Sequence, residues 1–357
     1  MKKIISTVLA LSMTLSLGAG FTGCSIPERQ FDNIILVIGD GMGENHILNA
    51  INYFDLETPV FMADQQGYIN TNSLTGTTDS AAGGTALATG KKVQNSNVAM
   101  LNGKNLKQIT SIAQEAKMKT GVITTDTLDG ATPASFSAHA EARNFTNTIM
   151  ETQAKSGINL LLGRRSGDYA YNYDLFTERG YTFAQSEEEM MAAKDSKKLV
   201  GILSDIDSEY ISGNEEDFQL KEMAEFAVDY LQNDKGFFLM IEGAYIDKYS
   251  HNNDFHEAMS EMRSLIDTIA FLYEFASDGK TAIIITADHE TGDLRLPPEG
   301  DDELGPWLYK STSHTSTPVP LFVKNYTWNP MQFGYEAWVT PENTMVFEAC
   351  NAIINGK

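Results

Sequence analysis

The chain is 357 residues long, 42% hydrophobic and 21% charged, with a formal net charge of −22. That length is enough for one large α/β domain with a substantial core. The acidic balance excludes nucleic-acid binding through a basic surface.

At the N-terminus Lys2-Lys3 is followed by a mostly apolar run from Ile4 to Leu17 and then by Phe21-Thr22-Gly23-Cys24. The run is short for a membrane span and reads as a processing signal. The segment before Cys24 resembles a bacterial lipobox, with Phe21 in place of the usual leucine. Residues 1–23 are therefore expected to be a lipoprotein signal peptide, 24–30 a tether and 31–357 a single domain. Acyl chains on Cys24 would anchor the protein to a membrane of the bacterial cell envelope, on the periplasmic or cell-surface side. Loss of Lys2 and Lys3 takes the formal charge from −22 to −24. Cys350 would then be the one thiol besides Cys24, which excludes a disulfide within the domain. It is expected to be a small core residue.

Unbroken apolar runs follow. Asn33-Ile34-Ile35-Leu36-Val37-Ile38 ends in Gly39-Asp40-Gly41-Met42-Gly43. Gly121-Val122-Ile123-Thr124-Thr125 runs into Asp126 and, soon after, Thr132. Gly236-Phe237-Phe238-Leu239-Met240-Ile241 ends in Glu242, and Thr281-Ala282-Ile283-Ile284-Ile285-Thr286 ends in Ala287-Asp288-His289. Such runs predict strands of a parallel sheet covered on both faces. Ligands gather beyond the carboxyl ends of such strands, the edge where Asp40, Thr132, Glu242, Asp288 and His289 would collect. Between the last two runs, Phe255, Met259, Met262, Ile266, Ile269 and Tyr273 form one apolar stripe, predicting a helix over 254–276. Asp254 and Glu257 are expected to form its capping box and Gly279 to end it. The segment from Ser166 to Asn214 is polar and gives little order.

Ser80 stands before Ala81-Ala82-Gly83-Gly84. A helix starting here would offer free N–H groups and positive dipole charge to an anion. By itself Asp79-Ser80 is an ordinary N-cap; the neighbouring acids and histidines give the serine its interest. Carboxylates with neutral imidazoles suit zinc, and an all-oxygen set suits magnesium. His251, His289 and His314 are the ligand candidates. His46 is expected to pack or lie on the surface near the site, His139 to be structural and His256 to be exposed.

Taken together, these segments resemble the alkaline phosphatase family. The resemblance is carried by Ile38-Gly39-Asp40-Gly41-Met42-Gly43, Thr78-Asp79-Ser80-Ala81-Ala82, Ala131-Thr132-Pro133-Ala134 with Ala138-His139 and Arg143, Glu242-Gly243-Ala244 with Ile246-Asp247-Lys248, and Thr286-Ala287-Asp288-His289. It covers roughly residues 31 to 350, in the family's order. It implies a three-layer α/β/α sandwich around a central, mostly parallel sheet, with 31–357 as the catalytic domain. It also implies hydrolysis of small-molecule phosphate monoesters, with Ser80 as the nucleophile that becomes phosphorylated and Arg143 clamping the phosphate. Two zinc ions and one magnesium ion are implied. Asp247, His251 and His314 would hold one zinc. Asp40, Asp288 and His289 would hold the other, which also contacts the Ser80 oxygen. Asp40 would bridge to a magnesium held by Thr132 and Glu242. A homodimer is among the arrangements the resemblance allows.

The chain departs from the family in three places. Gly130 stands where many relatives carry Asp or His beside the magnesium, with Asp129 one position early. Weaker magnesium binding is expected, with Lys248 facing no carboxylate from position 130 unless Asp129 turns into the place. The stretch from His289 to His314 is short, and so is the chain, so surface loops are expected to be reduced. A phosphodiesterase or sulfatase of the same superfamily is the alternative activity. A non-catalytic phosphate- or metal-binding lipoprotein is the remaining one.

Overall fold

The computed structural model describes residues 30–56, 59–165, 173–203, 219–298, 303–334, 336 and 339–356. The expected signal peptide, Cys24 and the tether up to residue 29 lie outside the described residues.

The strands, in chain order, are β1 (Asn33–Gly39), β2 (Gln65–Ile69), β3 (Met100–Leu101), β4 (Lys104–Asn105), β5 (Lys119–Thr127), β6 (Leu160–Arg164), β7 (Thr182–Ala184), β8 (Leu199–Leu203), β9 (Phe237–Gly243), β10 (Thr281–Thr286), β11 (Glu290–Thr291), β12 (His314–Thr315) and β13 (Val319–Lys324). The helices are α1 (Glu44–Phe54), α2 (Ser80–Thr89), α3 (Ile109–Glu115), α4 (Ala131–Ser137), α5 (Thr146–Lys155), α6 (Tyr173–Thr177), α7 (Glu187–Ala192), α8 (Leu220–Leu231), α9 (Tyr245–His251), α10 (Phe255–Phe275) and α11 (Thr344–Ile354).

Nine strands form one sheet in the order β2-β13-β10-β1-β9-β5-β6-β8-β7. β13 runs antiparallel to both its neighbours, and the other pairings are parallel. Every residue of β1, β9 and β10 is buried, which is why these strands read as continuous apolar runs. One group of helices, α1, α8, α9 and α10, packs together, and α2, α3, α4 and α11 pack as a second. The sheet covered on both faces gives the expected three layers. Each isoleucine or leucine taken from water there contributes roughly 1.5–3 kcal/mol.

Register aligns the strand ends. Ile38 lies level with Glu242 on one side and Thr286 on the other, and Thr124 is level with Glu242. Asp40, Glu242 and Asp288 therefore emerge at one edge, beside β1, where the chain's strand order turns from β9 to β10.

α10 runs one residue inside its expected bounds, and its apolar stripe is buried apart from the half-buried Tyr273. The expected capping box does not form: Asp254 is the N-cap residue, but its side chain makes no cap hydrogen bond. Gly279 does end the following turn, in the left-handed conformation at φ 76°. Cys350 is buried on α11. The polar stretch from 166 to 214 contains α6, β7, α7 and β8, with residues 166–172 and 204–214 outside the described set.

Candidate active site

Ser80 is the first residue of α2, and the cap before it is Asp79. Asp79 Oδ1 accepts from Ala82 N at 3.0 Å, and its Oδ2 accepts from Ser96 N at 2.9 Å. Both oxygens are thus committed to backbone, and the serine is left free of capping duty. It is buried, with Oγ 3.2 Å from His289 Nε2. Arg143, 41% exposed, lies 3.6 Å from Asp79 Oδ2.

The acids and imidazoles form two sets sharing His289: Asp40, Asp288 and His289, and Asp247, His289 and His314. In the first, His289 Nε2 is 3.5 Å from Asp40 Oδ1 and 3.3 Å from Asp288 Oδ2. Both of those oxygens are buried without a hydrogen-bond partner. In the second, His314 Nε2 is 3.4 Å from Asp247 Oδ1, and the His289 and His314 rings stack 3.5 Å apart. His251 joins this set, its Nε2 3.0 Å from His314 Nε2 and 3.4 Å from Asp247 Oδ1.

Hydrogen-bond logic fixes the tautomers. His251 Nδ1 faces the Thr312 carbonyl at 2.6 Å and His314 Nδ1 the Thr78 carbonyl at 2.8 Å. A carbonyl only accepts, so each Nδ1 carries the hydrogen. Thr291 Oγ1 donates to Asp247 Oδ1 at 2.5 Å and accepts from His289 Nδ1 at 3.2 Å. In the neutral rings all three Nε2 lone pairs then converge with carboxylate oxygens. Lone pairs gathered in this way repel unless a cation sits among them, so the set fits metal ions.

The electrostatics agree. Burial and the neighbouring Asp288 carboxylate push the Asp40 carboxyl well above its usual range, and burial lifts Glu242 to about 8. Burial opposes the Asp247 charge, but bonds from His251 and His314 outweigh it and hold that carboxyl low. Asp247 in turn raises His251 to about 9. Without a cation, protons take the cation's part.

Asp40 also faces the third expected set. Its Oδ2 accepts from Thr132 Oγ1 at 3.3 Å, at the start of α4. Glu242 accepts from Thr124 Oγ1. All ten candidates therefore gather at the sheet's carboxyl edge: Asp40, Ser80, Thr132, Arg143, Glu242, Asp247, His251, Asp288, His289 and His314. The short stretch before His314 works through β11 and β12, where Thr291 pairs with His314. Gly41, at φ 75°, lets the end of β1 reach α9: a Cβ there would stand 2.8 Å from Asp247 Cα.

The other histidines behave as structural groups. His46 is fully buried between Gly43 N and Ser250 Oγ, and burial lowers it to about 4. His139 meets the Leu106 carbonyl, and exposed His256 meets Tyr53. Sequence reasoning missed Thr124, Thr291 and Asp126. Lys248 does face a carboxylate, but from Asp126 rather than from position 129 or 130. The polar tail Thr124-Thr125-Asp126-Thr127 after the apolar middle Gly121-Val122-Ile123 of β5 was the signal available.

Comparisons with known proteins agree with this architecture. The alkaline phosphatase family model matches residues 31–160 and 163–344. Alkaline phosphatase 4 of Bacillus subtilis is 33% identical over 304 residues, covering 77% of this chain and 64% of the relative, so the chain spans less than two thirds of that protein. Alkaline phosphatase 3 of the same organism is 30% identical over 336 residues, covering 84% and 72%. The solved alkaline phosphatase of the Antarctic bacterium TAB5 is 26% identical, with TM-score 0.77 over 92% of this chain and 99% of that one. A magnesium-bound variant of it has TM-score 0.78 at 26% identity, over 91% and 98%.

Proposed function

This chain belongs to the alkaline phosphatase family, and from that premise we propose that it hydrolyses phosphate monoesters through a phosphorylated Ser80. The observation that carries this is the place of Ser80 Oγ, at the first turn of α2 and 3.2 Å from His289 Nε2, beside two buried carboxylate oxygens, Asp40 Oδ1 and Asp288 Oδ2, that lack donors. Asp40, Asp288 and His289 would hold one zinc ion, Asp247, His251 and His314 a second, and Asp40, Thr132 and Glu242 a magnesium ion. Bound there, the ions would supply positive charge to the attacking and leaving oxygens of an in-line displacement.

The chain's own groups do the rest. Ser80 Oγ attacks phosphorus, the bond to the ester oxygen breaks, and the alcohol leaves with a proton. Water then attacks the phosphoserine, the Oγ–P bond breaks, and Ser80 regains its proton as phosphate departs. N–H groups in the first turn of α2 face the anion with the helix dipole behind them. The Arg143 guanidinium, kept near α2 by Asp79, offers paired donors to two phosphate oxygens.

Lys2-Lys3, the apolar run and Cys24 support a lipid anchor at the cell envelope. No helix among the described residues is long and apolar enough to cross a membrane.

Steady-state hydrolysis of a phosphate monoester, a phosphate diester and a sulfate ester, with zinc and magnesium supplied, tests the proposal. The monoester should be the best substrate by kcat/KM. A preference for the diester or sulfate ester would replace the proposal, and turnover of none would favour a binding protein.

A further inference from the structure

Lys248 follows Asp247 on α9, and its Nζ donates to Asp126 Oδ1 near the end of β5. Each partner is braced. Asp126 N donates to Thr124 Oγ1 at 2.9 Å, and that hydroxyl donates on to Glu242. The Lys248 ammonium lies 4.4 Å from the centre of the Tyr245 ring, whose hydroxyl accepts from Arg164 Nη1 at 2.7 Å. The Asp126 side chain is 17% exposed and that of Lys248 42%. The acid is thus mostly enclosed, while part of the lysine stays accessible to a ligand.

Residue 130 makes the room. A Cβ built on Gly130 would stand 3.1 Å from Asp126 Oδ2 and 2.9 Å from the Thr127 carbonyl oxygen. Gly130 has φ −51°, which any residue can adopt. Space, not backbone freedom, therefore accounts for the glycine. A longer side chain at 130 and Asp126 in its present pose compete for the same volume.

We infer that Asp126 is the positioning residue that holds Lys248 beside the phosphate site, and that Gly130 is what gives Asp126 its place. The inference rests on the phosphatase reading, since it supposes an anion bound near Lys248. Asp126 supplies, from four residues upstream, the acid missing at 130. It occupies Lys248 and so keeps the ammonium from closing fully on product phosphate. Loss of the pair should let phosphate bind more tightly.

Titration calorimetry with inorganic phosphate, on protein loaded with zinc and magnesium, tests this without relying on turnover. Asp126→Asn keeps the shape and removes the charge. It should lower the phosphate Kd by about 2- to 5-fold, the range of a part-exposed ion pair. In a Lys248→Met background the same change should lose most of its effect, because the two residues act as one unit. Gly130→Ala should shift Kd in the same direction, and should not do so in an Asp126→Ala background. Asp129→Ala should leave Kd unchanged. Thermal melts report whether each variant is folded. Equal effects of Asp126→Asn with and without Lys248, or a shift from Asp129→Ala but none from Asp126→Asn, would overturn the inference alone. Loaded wild-type protein that binds no phosphate would overturn the phosphatase reading, and the inference with it.

Discussion

Gly83 sits one turn past Ser80 on α2, against the strand end that carries the metal-site residues. A Cβ at 83 would stand 2.8 Å from the Asp288 carbonyl oxygen and 3.1 Å from Asp288 Cβ, where ordinary contact begins at 3.4 Å, a shortfall of about 0.6 Å. The nearest atom is backbone, so no side-chain rotation relieves the clash, and Gly83→Ala must push α2 and Asp288 apart. Overpacking of this kind costs roughly 1–3 kcal/mol, while alanine gains up to about 1 kcal/mol over glycine inside a helix. Net stability should fall by about 0–3 kcal/mol. Activity should suffer more, since a misplacement of about 1 Å costs roughly 100-fold. A displacement of about 0.6 Å between Ser80 and the Asp288–His289 segment should lower kcat for a phosphate monoester by about 10- to 100-fold. Gly84→Ala is the comparison. Its Cβ would meet Ser135 Cβ and Oγ at 3.2 Å, a tight contact but well short of the 2.8 Å backbone clash at 83, so its loss should be smaller. The assays are steady-state kinetics, metal content and thermal melting. Native kcat in a metal-loaded Gly83→Ala protein would refute the claim that the α2–Asp288 contact places the serine.

Asp40 serves two sets with its two oxygens, so Asp40→Ala should lower both zinc and magnesium content by elemental analysis. His314→Ala should mainly reduce zinc. In metal-free protein Glu242 keeps its proton to about 8, against 4.5 for an ordinary glutamate, and burial is the main cause. The unfolded chain releases that proton first, so metal-free stability should fall as pH rises from about 4.5 to about 8 and flatten above. Adding zinc and magnesium should reverse the slope's effect on the melting temperature, which calorimetry at stepped pH would follow. Cys24→Ala should move the protein from the membrane to the soluble fraction, while unchanged detergent-dependent partitioning would point to an uncleaved N-terminal helix.

The legible parts of the fold were those with one dominant physical cause. β1, β9 and β10 are buried on both faces and so carry apolar runs through their middles, at residues 34–38, 237–241 and 282–285, and the site acids stand at their carboxyl ends. α10 showed its inward stripe because that face has a core to meet. β2 alternates between half-buried and exposed residues in Gln65-Gln66-Gly67-Tyr68, which leaves no apolar run to read. The partnership of Lys248 with Asp126 spans 122 residues, and no local spacing encodes it. Gly130 was visible as an odd residue, yet what its missing side chain makes room for needed coordinates. The arrival of His314 beside His289 depends on two-residue strands, too short to leave a pattern. Asp254 and Glu257 have capping-box spacing, but the Asp254 side chain makes no cap bond, so the pattern overstated the contact.

The most direct test of the central claim is phosphopeptide mapping of the loaded protein, quenched in acid during turnover of a phosphate monoester. Phosphate is expected on Ser80 in the peptide that also carries Asp79 and Ala81, and it should be absent from Ser80→Ala protein that retains its fold and metals. Brisk metal-dependent turnover with no phosphate on Ser80, or with the same phosphopeptide signal in Ser80→Ala, would contradict it.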